Sequence, residues 1–270
     1  MDHRAAHRML GPLTAVAAFA ACGGSGQVAP GSTPVPAPAF DDTYAATASS
    51  APARPKGRWD RMPPLAVEGQ VIHRAHYDIT RAGHAIGEER LAVSVVDGVR
   101  VVAAQSVSDF GGHFESSYTI SPTTLTMTEK GPKGLRQITG KLVDGKLIVS
   151  GAGAAGEAIT LSAGMPEGGF LSGPEVGGTL VLADKLGTMK VGENREFVEL
   201  HVALSRAAKF VLAFHQVERK DDVDGQRVFS VATKTGRFAQ TAELIVDGDG
   251  FVVKQAITPP LDLTFTRRPQ

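Results

Sequence analysis

The sequence predicts a mainly β protein. The expected fold is one curved antiparallel sheet, open or partly closed into a roll or half-barrel, with at most one or two short helices; a two-sheet sandwich is the alternative. Two observations carry this. Apolar residues alternate with polar or small ones: Leu91, Val93 and Val95 with Ala92 and Ser94, and Leu261, Leu263 and Phe265 with Asp262, Thr264 and Thr266. Period-two patterning of this kind marks strands with one packed face. In addition, Val-Asp-Gly recurs at 96–98, 143–145, 223–225 and 246–248, each time beside apolar runs. Asp-Gly supplies the positive φ angles of a tight hairpin turn, so strands joined by such turns describe a meander.

Along the chain, three regions separate. Residues 1–21 have a weakly basic start, with Arg4 and Arg8, and then an apolar stretch from Met9 to Ala21 broken only by Thr14. That is the length of a secretory signal and short of the ~20 apolar residues a membrane-spanning helix needs. Residues 22–64 hold eight of the sixteen prolines and open with Gly23-Gly24-Ser25-Gly26. Such a segment buries too little surface to offset its ordering entropy and reads as a tether, spanning roughly 35–40 Å if flexible. Residues 65–270 read as a single β-rich domain. Within it, residues 151–178 contain nine glycines, a sign of loops and short strands. One helix is expected over about 175–186, with Pro174 at its start and Gly187 past its end.

Composition excludes several kinds of chemistry. Lys and Arg total 28 against 28 Asp and Glu, so the neutral chain has no bulk attraction for phosphate backbones and no nucleic-acid partner is expected. A single cysteine makes neither an internal disulfide nor a cysteine-based zinc site. Asp247-Gly248-Asp249-Gly250 lacks the closing Glu of a calcium loop, since Thr258 stands at the twelfth position. Asp221, Asp222 and Asp224 read as a solvated turn. His73 and His76, three apart on a strand, and the neighbours Glu88 and Glu89 each point to opposite faces. No nucleophile elbow, phosphate loop, dinucleotide fingerprint or HExxH zinc motif occurs. No catalytic, cofactor-binding or metal-binding residues are therefore assigned, and the protein is not expected to be an enzyme.

Phe19-Ala20-Ala21-Cys22 resembles the lipobox of bacterial lipoproteins, with Phe19 standing where Leu is usual. The resemblance implies cleavage before Cys22 and a diacylglycerol anchor on its thiol. Gly23, in place of the Asp that signals inner-membrane retention in enterobacterial lipoproteins, points by resemblance to the outer membrane, with the domain in the periplasm. The run from Tyr77 to Glu88 resembles the opening of a group of uncharacterised periplasmic β-domains. Similar single-sheet rolls occur among lipoprotein-carrier and glycolipid-binding proteins. That likeness implies an apolar ligand, a lipid or glycolipid, in the hollow of the sheet.

The leading expectation is thus a non-enzymatic, lipid-anchored envelope protein that binds an apolar ligand. Phe210, Leu212, Phe214, Leu261, Leu263 and Phe265 are its candidate lining. The alternatives are an adaptor for another envelope protein or peptidoglycan, and a hydrolase with a dispersed site. An exposed apolar patch would favour the adaptor, and a hydroxyl beside a His in a cleft the hydrolase. Metabolic labelling with a fatty-acid probe is expected to mark the wild-type chain and to leave Cys22→Ser unlabelled.

Overall fold

The computed structural model describes residues 64–204 and 208–269. The expected signal peptide of residues 1–21, the expected lipid attachment at Cys22 and the expected tether up to residue 63 lie outside the described residues. Eight strands follow one another as a meander: β1 (Gln70–Arg81), β2 (His84–Val96), β3 (Val99–Ser108), β4 (Phe114–Ile120), β5 (Thr124–Gly131), β6 (Gly134–Val143), β7 (Lys146–Ala152) and β8 (Ala158–Gly164). A two-residue strand β9 (Phe170–Leu171) and the helix α1 (Glu175–Leu186) come next. A second meander completes the chain: β10 (Asn194–Ala203), β11 (Lys209–Arg219), β12 (Arg227–Thr235), β13 (Phe238–Val246), β14 (Val252–Ile257) and β15 (Leu263–Arg267).

All fifteen strands belong to one sheet, ordered β8-β7-β6-β5-β4-β3-β2-β1-β15-β14-β13-β12-β11-β10-β9. The two meanders join where β1 pairs antiparallel with β15, Tyr77 opposite Arg267 and Ile79 opposite Phe265. Every ladder is antiparallel except the short parallel contact of β9 with β10. The edges β8 and β9 do not pair, so the sheet curves without closing. This is the single-sheet roll, not the sandwich.

The turns follow the expected chemistry at three of the four Val-Asp-Gly sites. Asp97 and Gly98, Asp144 and Gly145, and Asp224 and Gly225 all have φ between +50° and +79°, the double left-handed signature of a type I′ turn. The fourth differs. Asp247 Oδ1 accepts hydrogen bonds from the backbone N–H groups of Asp249 and Phe251, at 3.1 and 2.8 Å, which organises a longer loop. A further tight turn, Ala82-Gly83 at φ +46° and +77°, carries Ala where the turn rule asks for Asn or Asp.

The concave face is the core. Register carries one row of inward side chains across β1, β2, β3 and β4: Tyr77, Glu89, Ser106 and Ser116. The next rows are apolar, with Leu91, Ala104, Tyr118 and Met127 on β2 to β5. Tyr77 is fully buried, and its hydroxyl donates to the Val252 carbonyl at 2.6 Å, tying β1 to β14.

Helix α1 occupies the expected residues and buries Val176, Leu180, Leu182, Ala183 and Leu186. Pro174 is its N-cap, and Gly187 stays right-handed at φ −56°, so the helix ends without a left-handed cap. Gly177 and Gly178, unfavourable in a helix by ~1 kcal/mol each relative to Ala, are there for space. A Cβ on Gly177 would sit 2.3 Å from the Tyr118 hydroxyl, and one on Gly178 2.0 Å from the Gly173 carbonyl oxygen. Gly177→Ala therefore gains ~1 kcal/mol of propensity but forces α1 off the sheet wall. Overpacking of a closed contact costs ~1–3 kcal/mol, so a net loss of stability is expected. Denaturant unfolding of the variant beside wild type reads it.

Candidate functional site

The six candidate lining residues do not share a face. Gln255, which hydrogen-bonds Thr179 of α1, pairs through Leu244 and Phe229 to Arg219, so odd-numbered residues of β11 face the core. Ala213, His215, Val217 and Arg219 are accordingly buried. Phe210, Leu212 and Phe214 take the opposite face, where Phe210 is half-buried and still packs against the core cluster while Leu212 is 41% and Phe214 52% exposed. On β15, Phe265 is buried opposite Ile79, and Leu263 is half-buried on the same inner face. Leu261 lies in the turn before that strand, half-buried. The expectation of one shared inner face is corrected at β11. Period two says which residues go together and leaves open which set goes inside.

A polar row explains the inversion. Glu199 on β10 accepts from His201 Nδ1 at 2.9 Å and from His215 Nε2 at 2.7 Å. The other ring nitrogen of His215, Nδ1, lies 2.9 Å from Thr233 Oγ1, a hydroxyl that donates to a neutral ring and accepts from a charged one. Phe170 stacks on the His215 ring at 6.3 Å. With each of these groups partnered, the row tolerates burial. Burial on its own would raise the Glu199 carboxyl, but the hydrogen bonds and positive character of the two histidines outweigh it and hold it down at about 2.

Behind this row, on the convex side, lies an open trough of about 630 Å³ across β10 to β13. Glu196, Gln216, Ala232 and Thr241 form one bank, and Val198, Phe214, Lys234 and Ala239 the other, each a register row across the four strands. Pro259 and Thr258 border it. His215 and Thr233 also border it, but their side chains turn inward, away from this face. Phe214 is the one candidate lining residue that borders the trough. Lys234 has no hydrogen-bond or ion-pair partner among the described residues.

A second cluster lies on the concave face, at the N-terminus of α1. Glu89 is fully buried. Its carboxylate oxygens accept from the backbone N–H of Val176 at 3.0 Å and of Gly177 at 3.2 Å. Tyr118 Oη lies 2.5 Å from Glu89 Oε1 and 2.8 Å from the Pro174 carbonyl oxygen. Beside it is Glu175, the first residue of α1, in the left-handed region at φ +57°. Burial, reinforced by Glu175, raises the Glu89 carboxyl. Burial likewise raises Glu175, with the Ser106 hydroxyl pulling the other way. Glu88, its side chain on the other face, meets His76 at 3.2 Å and Arg268 at 2.8 Å.

His73 and His76 fall on opposite faces as their spacing predicts: His73 stacks on Phe251 at 3.7 Å, while His76 joins the Glu88 network. Among the described residues, no three His, Cys, Asp or Glu side chains converge as metal ligands, and no helix is long and apolar enough to cross a membrane. Neither the Glu199 row nor the Glu89 cluster was legible as a site. The local signals were a lone Glu in an alternating strand and a Glu directly after a helix-starting Pro.

No protein-family profile matches the chain, and no curated protein does. Among solved structures, it is similar to a β-barrel-like protein of the domain of unknown function DUF1849 from Brucella abortus. The identity is 13% and the TM-score 0.48, over 74% of this chain and 96% of that one.

The Glu199 row sets an acid limit on stability. A carboxyl held at about 2 in the fold, against about 4.5 when unfolded, contributes stability that is whole above the unfolded value. That contribution is lost as pH falls from about 4.5 to about 2, and amounts to roughly 3–4 kcal/mol at ~1.4 kcal/mol per unit. Glu199→Gln is expected to flatten the decline of unfolding free energy across this window, read by denaturant titration at successive pH values.

Proposed function

We propose that the protein is a non-enzymatic, lipid-anchored envelope protein, held at the outer membrane through Cys22, that binds a lipid-like ligand against its curved sheet. The binding place is the trough over β10 to β13. One observation supports this above the others: Phe214, large and apolar, stands 52% exposed at a cavity of about 630 Å³. That volume falls in the range of small-ligand sites, which run to roughly 300–1,000 Å³ and combine apolar walls with a few polar groups. Val198, Ala232, Ala239 and Pro259 supply further apolar surface, and Gln216, Lys234 and Thr241 supply the polar groups. The hydroxyl-and-histidine arrangement that would favour a hydrolase, Thr233 with His215, faces the core and not the trough, which supports a binding role over a catalytic one.

The same face supports a second reading. Leu212 and Phe214 are neighbours on β11 and both are exposed, and an apolar patch of this kind marks a docking surface when it is not a ligand site. In that case the protein is an envelope adaptor.

Phe214→Ala separates burial from binding. A half-exposed ring contributes little to stability, so the melting midpoint is expected to stay close to wild type, within roughly 0.5–1 kcal/mol. A fluorescent lipid probe titrated into the purified protein is expected to saturate with wild type and to bind several-fold more weakly to the variant. If no lipid class gives saturable binding to wild type, the ligand reading fails and the adaptor reading replaces it.

A further inference from the structure

We propose that Glu89 and Glu175 form a proton-operated latch for α1: with the pair protonated the first turn of the helix is held to the sheet wall, and with both carboxyls ionised that turn is released. The argument begins with counting hydrogens. Tyr118 Oη lies within hydrogen-bond distance of two acceptors, Glu89 Oε1 and the Pro174 carbonyl oxygen, yet a phenol has one proton to give. A protonated Glu89 resolves this. Its O–H donates to Tyr118 Oη, and the phenol proton is then free for Pro174. Glu89 Oε2 still accepts from the Val176 N–H in that arrangement.

Glu175 adds stored strain. It is a non-glycine residue in left-handed backbone, where Cβ crowds the following carbonyl, and its Oε2 is buried with no hydrogen-bond partner. Among the described residues, nothing cationic faces the pair. From β1 the neighbour is Tyr77, from β3 and β4 Ser106 and Ser116, from β4 also Tyr118, and from β14 the neutral Gln255. Glu129 on β5 adds a further negative charge, but Arg136 on β6 holds it at 2.7 Å. The ion pair that α1 makes, Asp184 with Arg100 of β3, is near the opposite end of the helix. A second charge in the pair is therefore opposed both by burial and by the first.

The sign follows from both carboxyls being raised in the fold. Below the unfolded value of about 4.5, folded and unfolded chains both carry the protons. As pH rises past it, the unfolded chain ionises freely while the folded pair resists, so the attachment of α1 weakens with rising pH. That direction is opposite to the one Glu199 imposes.

Hydrogen–deuterium exchange of the full chain, read by mass spectrometry and corrected for the intrinsic pH dependence of exchange, tests this. Between about pH 5 and about pH 9, amides of residues 175–186 are expected to lose protection by an order of magnitude or more, while those of β12 and β13 do not. Glu175→Gln, which keeps the shape and removes the ionisation, is expected to abolish most of that loss, and Glu89→Gln to do the same. Unchanged protection in wild type, or the same loss in a folded Glu175→Gln, overturns the latch. Should Glu89→Gln fail to fold, Glu175→Gln decides alone.

Discussion

The carboxyl of Glu89 joins the helix to the sheet. A helix N-terminus leaves backbone N–H groups without intrahelical partners, and those of α1 are inside the protein, where water does not reach them. No side chain caps α1 from its own sequence, since Pro174 has none to offer. The sheet supplies the cap instead, from a residue 86 positions before the helix begins. Once Glu89 is placed, much else follows. Tyr118 must reach it, Gly177 must lack a side chain so that Tyr118 fits, and the apolar stripe Val176, Leu180, Ala183 is set against the concave wall. A charge-capable group at this depth is costly unless fully partnered, which makes the arrangement specific in geometry as well as in chemistry.

The core is held at two polar points of opposite character. At α1 the buried carboxyls resist ionisation. At β10 and β11 the buried carboxylate of Glu199 is kept ionised by two histidines. The second point decides what the sheet shows to the outside. Because His215 and Ala213 point in, Phe214 and Leu212 point out. The apolar surface shown to solvent is thus a by-product of how the interior solved its hydrogen bonding.

How much of this could be read from the sequence depended on the range of the interactions. Alternation and the Asp-Gly turns are local, and they gave the sheet, its antiparallel meanders and three of the hairpins. Pro174 and Gly187 bracketed α1 because helix ends are also local. The inside-outside choice on β11 was not local. Phe210, Leu212 and Phe214 on one face suggested a core, but Glu199, sixteen residues before His215, made the polar face the buried one. The pairing of Glu88 and Glu89 on opposite faces was legible, whereas the role of Glu89 required knowing that the helix would return to it. Ala82 in a left-handed turn had no signal, since Ala there is contrary to the turn rule.

The order of strands has a consequence for how the chain reaches this state. Thirteen of the ladders link sequence neighbours or near-neighbours, so each meander can assemble from contacts close in sequence. The ladder between β1 and β15 is different, for it unites residues as far apart as Tyr77 and Arg267, 190 positions along the chain. The strand made first finds its second partner only when the strand made last has emerged. Until then, β1 presents an unpaired flank in the middle of the future sheet, and the two halves are separate bodies. Synthesis from N- to C-terminus therefore leaves a window in which both a free flank and the face meant for α1 are open to wrong partners. An exported chain would pass through that window outside the cytoplasm, where the protection of its β1 flank falls to whatever binds extended polypeptide there.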